Sequence, residues 1–152
     1  DKQGTILRID KIIRIADPDV VTTHSPTDYM PDHFTTGEVV FNSSFMSTLP
    51  HLKTEIKSNR KVAPFYYMDN VAGVNFIPED YVDITDVIKI KEKMLRCHKS
   101  QVDWLREHHK IEVIEYMYAL SRLRGLQCDV KYAEGFKRRG SWGRNEPGRF
   151  LP

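Results

Sequence analysis

The chain has 152 residues, with 23 lysines and arginines against 21 acidic residues and a formal net charge of +2. That length suits one ordinary domain with its own core, and the near balance of charge, with a pI of about 8.5, lacks the clustered basic excess of a nucleic-acid binder. No apolar run approaches the roughly 20 residues of a membrane span and the opening D-K-Q-G-T-I-L-R lacks a signal-peptide shape, so a cytoplasmic protein with neither nucleic-acid nor membrane partners is expected.

Ile6, Ile9, Ile12, Ile13 and Ala16 recur at helical spacing, with Arg8, Asp10, Lys11 and Arg14 between them. This predicts an amphipathic helix that Asp17-Pro18 stops, because proline lacks the N–H that would continue it. Asp19 to Thr23 is short and β-branched, as in a buried strand of a parallel sheet. Pro31 suits the first position of a second helix, and Asp32 complements the positive end of its dipole. Phe34, Gly37, Phe41, Phe45 and Leu49 are the expected apolar face of that helix, up to Pro50.

Ala63 to Met68 reads as a second strand, Asn70 to Pro78 as a loop, and Tyr81 to Ile84 as a short extended piece. A long helix, capped by Asp83 or Thr85, is predicted to run on Val87, Ile88, Met94, Leu95, Val102 and Leu105 to about His109. Another follows with Ile111, Ile114, Met117, Tyr118 and Ser121 on one face and Gly125 as its stop. Val130 to Phe136 closes the series as a last strand, followed by an irregular basic tail over 137–152 holding Lys137, Arg138, Arg139 and Arg144, with Trp142 and Phe150 free to pack on a neighbour. Phe65, Tyr66, Tyr67 and Phe76 are expected in the core. Cys97 and Cys128 form no C-x-x-C pair and are expected as buried, reduced thiols. Three strand candidates are few for four helices, which suggests strands outside this chain.

The chemistry concentrates in Thr23 to His33, T-H-S-P-T-D-Y-M-P-D-H, between a strand end and a helix start. A scaffold of that kind aims loop-borne polar groups while leaving them reachable. His33 in the opening turn, with Asp32 before it, suits a metal ligand with an orienting carboxylate. His24 and Asp28 lie in the same stretch, and nitrogen and oxygen donors of this kind suit zinc or another divalent metal. Asp32 and His33 are also explained as a dipole partner and a surface histidine, since no H-x-x-x-H pair is present. His51, His108 and His109 sit at helix ends, where a structural role suffices.

The run P-D-V-V-T-T-H-S-P-T-D-Y-M-P-D-H resembles the second signature of the LmbE-like or PIG-L family of zinc-dependent N-deacetylases, usually close to T-H-x-P-x-D-Y-H-P-D-H. Three later segments match in order: F-I-P-E-D-Y-V-D-I-T-D, then K-x-K-M-L-x-C-H-K-S-Q, then R-L-R-G-L-Q-C-D-V-K-Y-A-E-G-F. The resemblance implies a Rossmann-like α/β domain, a layered parallel sheet with flanking helices, of which residues 1–136 form the C-terminal half with the N-terminal strands missing. It implies hydrolysis of an acetyl group from an N-acetylglucosamine-type sugar, a glycoconjugate or a related amide. His33 would be a zinc ligand and Asp32 its catalytic carboxylate neighbour.

The family's other ligands and its base come from an A-H-P-D-D-E signature that this chain lacks. They would have to come from an N-terminal half or a companion chain, and without them the metal itself would be absent from this fragment. Met30 stands where the family usually has a histidine that polarises the acetyl carbonyl or protonates the leaving amine. A thioether can do neither, and loss of one such donor typically lowers rate by about 100 to 1,000-fold. The alternative is therefore a catalytically impaired relative with a carbohydrate-binding or assembly role. His98, Gln101 and Glu134 fall in matching segments and are candidate neighbours of the site, with packing as their plainer explanation. A homo-oligomer is the expected assembly.

Overall fold

A computed structural model describes residues 2–52, 54–140 and 147–152. The elements follow in the order α1 (Lys2–Ala16), β1 (Val21–His24), α2 (Pro31–Met46), β2 (Phe65–Met68), β3 (Asp80–Asp83), α3 (Ile88–Arg96), α4 (Lys99–His109), α5 (Val113–Gln127) and β4 (Ala133–Arg138), with one 3-10 turn, Thr85–Val87, before α3. The four strands form one sheet in the order β1-β2-β4-β3. Only β1 and β2 are parallel, in register from Val21 opposite Phe65 to His24 opposite Met68. β4 runs antiparallel to both its neighbours. The α/β class is as expected, whereas the wholly parallel sheet is not: β4 enters between β2 and β3 and pairs with both in the opposite direction, with three helices, α3 to α5, in the connection from β3.

Two apolar clusters hold the layers. Val21, Ala63, Phe65, Tyr67 and Phe76 pack with Val40 and Phe41 of α2, while Ile84, Ile88 and Met117 pack with Leu95, Tyr118 and Tyr132. Tyr66 is buried as well. β1 is an edge strand, and among the described residues nothing pairs with its outer side.

The stop of α1 and the start of α2 are those the local chemistry dictates. Asp17 takes a left-handed conformation (φ 41°) and donates its N–H to Ile13 O at 2.9 Å, ending α1 just before Pro18. Pro31 opens α2 without wasting a donor. Faces were harder to foresee. In α1, Ile12 and Ile15 are 57% and 66% exposed while Asp10 and Arg14 are buried. In α2 the buried positions are Gly37, Val39, Ser43 and Ser44, and Phe34, Phe45 and Leu49 face outward. Small residues win there because α1 lies close, with Ser43 Oγ donating to Ile6 O at 3.0 Å.

The predicted long helix is two helices. Cys97 and His98 donate their N–H groups to Met94 O and Leu95 O at 3.1 Å, closing α3 with tight i−3 bonds, and His98 leaves the helical region at ψ 55°. Ile88 and Leu95 anchor α3 to the second cluster, whereas α4 buries no residue, so packing does not hold the two in line. Before α3, Asp83 Oδ1 accepts the Thr85 N–H at 2.9 Å, so of the two capping candidates the aspartate is the acceptor.

Gly125 does not stop α5. The helix runs on to Gln127, Asp129 takes the left-handed turn (φ 61°), and Gly125 lies where a Cβ would stand 2.7 Å from the carbonyl oxygens of Val130 and Lys131. β4 reaches Arg138, two residues into the expected tail, and Arg138 lies over the Phe150 ring of its own chain. Trp142 and Arg144 lie outside the described residues. Cys97 is exposed and Cys128 partly buried, so neither is the deeply buried thiol expected. No described helix is long and apolar enough to cross a membrane.

Candidate functional site

β1 ends at His24, and the chain folds back on itself before α2 begins. Asp28 drives that reversal: its N–H bonds Ser25 O at 3.1 Å, its Oδ1 accepts the Met30 N–H at 2.9 Å, and its Oδ2 lies 3.0 Å from His33 Nδ1. Asp28 is thereby buried while His33 remains one third exposed. The carboxylate that orients His33 is Asp28, not Asp32. Successive residues of a helix do not face each other, so Asp32 is turned outward in the first turn, as its exposure records. With Nδ1 engaged by a carboxylate, His33 has Nε2 left for an outside partner, which is the arrangement of metal-binding histidines.

His24 is brought against this pair. Its ring centroid is 4.2 Å from that of His33, tilted by 35°, and its Nδ1 is buried with no hydrogen-bond partner. Burial, and then the neighbouring His33, hold its pKa below the ordinary 6.5, against the opposing pull of Asp28 and Asp32. Gly37 makes the approach of α2 possible, because a Cβ there would stand 2.5 Å from His24 O. Met30 occupies the N-cap of α2 and offers no side-chain cap.

A second loop closes one wall. Since His24 and Met68 are level in the parallel pair, Asp69 and Asn70 leave the sheet beside the histidine loop. Thr27 Oγ1 donates to Asn75 O at 3.1 Å, joining the two loops, and Asn70 brackets its own loop by donating to Val74 O and accepting the Val74 N–H. Arg124 fixes the loop from α5, with Nε 2.7 Å from Asp69 Oδ2 and a second nitrogen donating to Phe76 O.

His98, Gln101 and Glu134 do not join the histidines. Glu134 pairs with Lys91 at 2.7 Å, and with His98 it lines a separate cavity of about 680 Å³ whose walls include neither His24 nor His33. Gln101 is exposed on α4. Among the described residues no group of three His, Cys, Asp or Glu side chains is placed to hold a metal. What the described residues do bring together is one imidazole oriented by a buried carboxylate and a second imidazole packed against it. Asp28 as the orienting group, Gly37 as the spacer and Arg124 as the loop anchor were not visible in the sequence. Of the three, only Asp28 left a signal, an acidic residue in a proline-flanked turn three positions before a helix.

No protein-family model matches the chain. Among solved structures, the fold is similar to GalB, the 4-carboxy-2-hydroxymuconate hydratase from Pseudomonas putida, with a TM-score of 0.76 and 20% identity over 99% of this chain and 62% of that one. It is similar to a conserved protein from Thermus thermophilus, with a TM-score of 0.76 and 21% identity over 98% and 61%. The N,N'-diacetylchitobiose deacetylase from Pyrococcus horikoshii, solved with an inhibitor, gives a TM-score of 0.72 and 25% identity over 91% and 52%. The chain thus spans between about half and three fifths of the length of these proteins. The mixed sheet and helices of the described residues have the α/β fold that these proteins share, and the matches include a hydratase and a deacetylase.

Proposed function

We propose that this chain supplies one half of the metal centre of an N-deacetylase acting on an acetylated amino sugar or glycoconjugate. The observation that carries the proposal is the Asp28–His33 pair, buried carboxylate against half-open imidazole, on the loop that bears the family signature. The likeness to a chitobiose deacetylase supports the same class of reaction. His33 would hold zinc or another divalent cation through Nε2. Such a cation, when bound, polarises an amide carbonyl and lowers the pKa of water. Asp28 fixes the tautomer that presents the ligand nitrogen, and Asp32 adds negative charge at the N-terminal end of α2. The remaining ligands and the base would come from an N-terminal half of the same protein or from a companion chain.

The test is metal content and acetate release in the complete protein with N,N'-diacetylchitobiose as probe. His33→Ala is expected to abolish both, and Asp28→Asn to weaken metal affinity about 10 to 100-fold. Full metal occupancy and unchanged acetate release in His33→Ala would sink the proposal.

Met30 favours a second reading, in which the fold persists for carbohydrate binding or assembly. Met30 is 41% exposed at the N-cap of α2, three residues before His33, and its thioether has neither a proton to donate nor useful basicity. On this reading Met30→His raises acetate release in the complete protein by about 100 to 1,000-fold. Equal rates in both proteins would remove it.

A further inference from the structure

We propose that the cavity between α3, α5 and the sheet is the seat of one amphipathic α-helix with an acidic flank, carried by polypeptide outside these 152 residues. The surface is separate from the histidine loop, since neither His24 nor His33 lines it. The sheet supplies the first reason. Val21, Phe65 and Tyr67 pack with Val40 and Phe41 of α2, so Thr22 and Met68, which alternate with them, look to the opposite face and line the cavity. There Thr22 is exposed, while Val21 and Thr23 are 8% and 3% exposed. Parallel strands occur almost only where both faces are covered, yet the parallel β1–β2 pair is left bare on one face at Thr22.

Handedness supplies the second reason. β1, α2 and β2 form a parallel crossover unit, and such units are right-handed in nearly all proteins. A further parallel strand along the outer side of β1, continued outward through its own helix, advances across the sheet in the opposite direction. The same hand then puts that helix on the face opposite α2, over Thr22 and against the cavity. The similar solved structures are longer than this chain, which provides for such a segment.

The walls define what the helix must present. Val87, just before α3, and Ile90 and Met94 on it follow one another at three and four residues and line the cavity. They are 45%, 56% and 65% exposed, an apolar stripe of the kind that meets a partner helix through i, i+3 and i+7 anchors. Met117 and Leu120 of α5 form another wall. Methionines at positions 68, 94 and 117 adapt to whatever side chains enter. α3 carries Lys89, Lys91, Lys93 and Arg96 against the single acid Glu92, so an acidic flank is the complement.

The experiment places single cysteines at Met94 and Leu126 in a Cys97→Ser/Cys128→Ser background. The two residues are 65% and 63% exposed, and only Met94 lines the cavity. Maleimide labelling is timed in this chain and in the complete protein. In this chain Met94→Cys and Leu126→Cys should react at similar rates. In the complete protein Met94→Cys should react at least about tenfold more slowly than in this chain, because a covered site reacts only through local opening. An unslowed Met94→Cys overturns the inference. So does slowing already present in this chain, or slowing in the complete protein that vanishes on dilution, which assigns the cover to a second copy or a small apolar ligand.

Urea unfolding reads the same contact through Met94→Asp and Met94→Lys. In this chain neither should move the midpoint, because the position faces water. In the complete protein Met94→Asp should lower it by roughly 1 M, and Met94→Lys by less, because the facing flank is acidic. A midpoint unmoved by Met94→Asp in the complete protein overturns the docking. A larger loss with lysine than with aspartate overturns the acidic flank. Neither measurement uses metal or acetate release, so the deacetylase proposal is judged apart from this one.

Discussion

Replacing Arg124 by methionine is expected to lower the unfolding free energy by about 3–5 kcal/mol, the usual consequence of removing one partner of a buried ion pair. Arg124 and Asp69 have side chains only 6% and 9% exposed and meet at 2.7 Å, so the abandoned carboxylate has little water to turn to. The guanidinium also donates to Phe76 O and to Gln127 Oε1, which in turn accepts from Tyr81 OH. Its loss therefore frees the whole segment from Asp69 to Phe76. Urea unfolding measures the total. Hydrogen exchange separates the local part: the Val74 amide, bonded to Asn70 Oδ1, should lose protection, whereas the Val21 amide, bonded to Pro64 O, should fall only with global stability. Equal loss at both amides would mean that Arg124 serves the core alone and not the loop beside the histidines.

Arg14→Met is the second substitution with a large expected effect, again about 3–5 kcal/mol. Asp10 and Arg14 are one helical turn apart on α1, with side chains 0% and 2% exposed, and their carboxylate and guanidinium meet at 3.0 Å. Arg14 also reaches the carbonyls of Met46, Leu49 and Ile56, tying α1 to the chain that leaves α2. Each of those carbonyls already accepts another bond, from Leu49 N, Leu52 N and Thr54 Oγ1 respectively. The larger share of the loss thus comes from stranding Asp10, whose Oδ1 already lacks a partner. A double variant, Asp10→Leu/Arg14→Met, should recover more than half of the deficit, because replacing a buried pair with apolar residues is often near neutral. If the double variant is as unstable as the two single losses added, the carbonyl contacts and not the charge pair dominate.

These two arginines mark the limit of what the residue pattern discloses. The stop of α1 and the start of α2 were legible because they are chosen by adjacent residues: Asp17-Pro18 and Pro31 act within their own turn. The two parallel strands and the loop between β1 and α2 were legible for the same reason. Burial of Asp10 and Arg14 was not, because a charge goes inside only when a distant partner meets it, here the carbonyls between Met46 and Ile56. The break at Cys97–His98 carries no proline or glycine and depends on what α4 fails to pack against. Gly125 resembled a helix stop because the local meaning of glycine is a turn, while its actual constraint is a carbonyl pair five and six residues onward. Around the histidines, the setting of His33 in the first turn of α2 was legible. Its carboxylate partner was misassigned to Asp32 because sequence adjacency is not spatial adjacency on a helix, and the contact with His24 requires Gly37 to let two elements touch.

Among the described residues nothing pairs with the outer side of β1, and this has a thermodynamic consequence. The strand ends at His24, so any segment that pairs along it would bring its own residues level with the histidines. Strand pairing and cation binding at that point would then be linked equilibria: whatever factor the cation adds to the affinity for the added strand, the strand must add to the affinity for the cation. Weak occupancy in this chain alone and tight occupancy in an assembled protein would be two measurements of one coupling free energy, obtained from the ratio of the two dissociation constants.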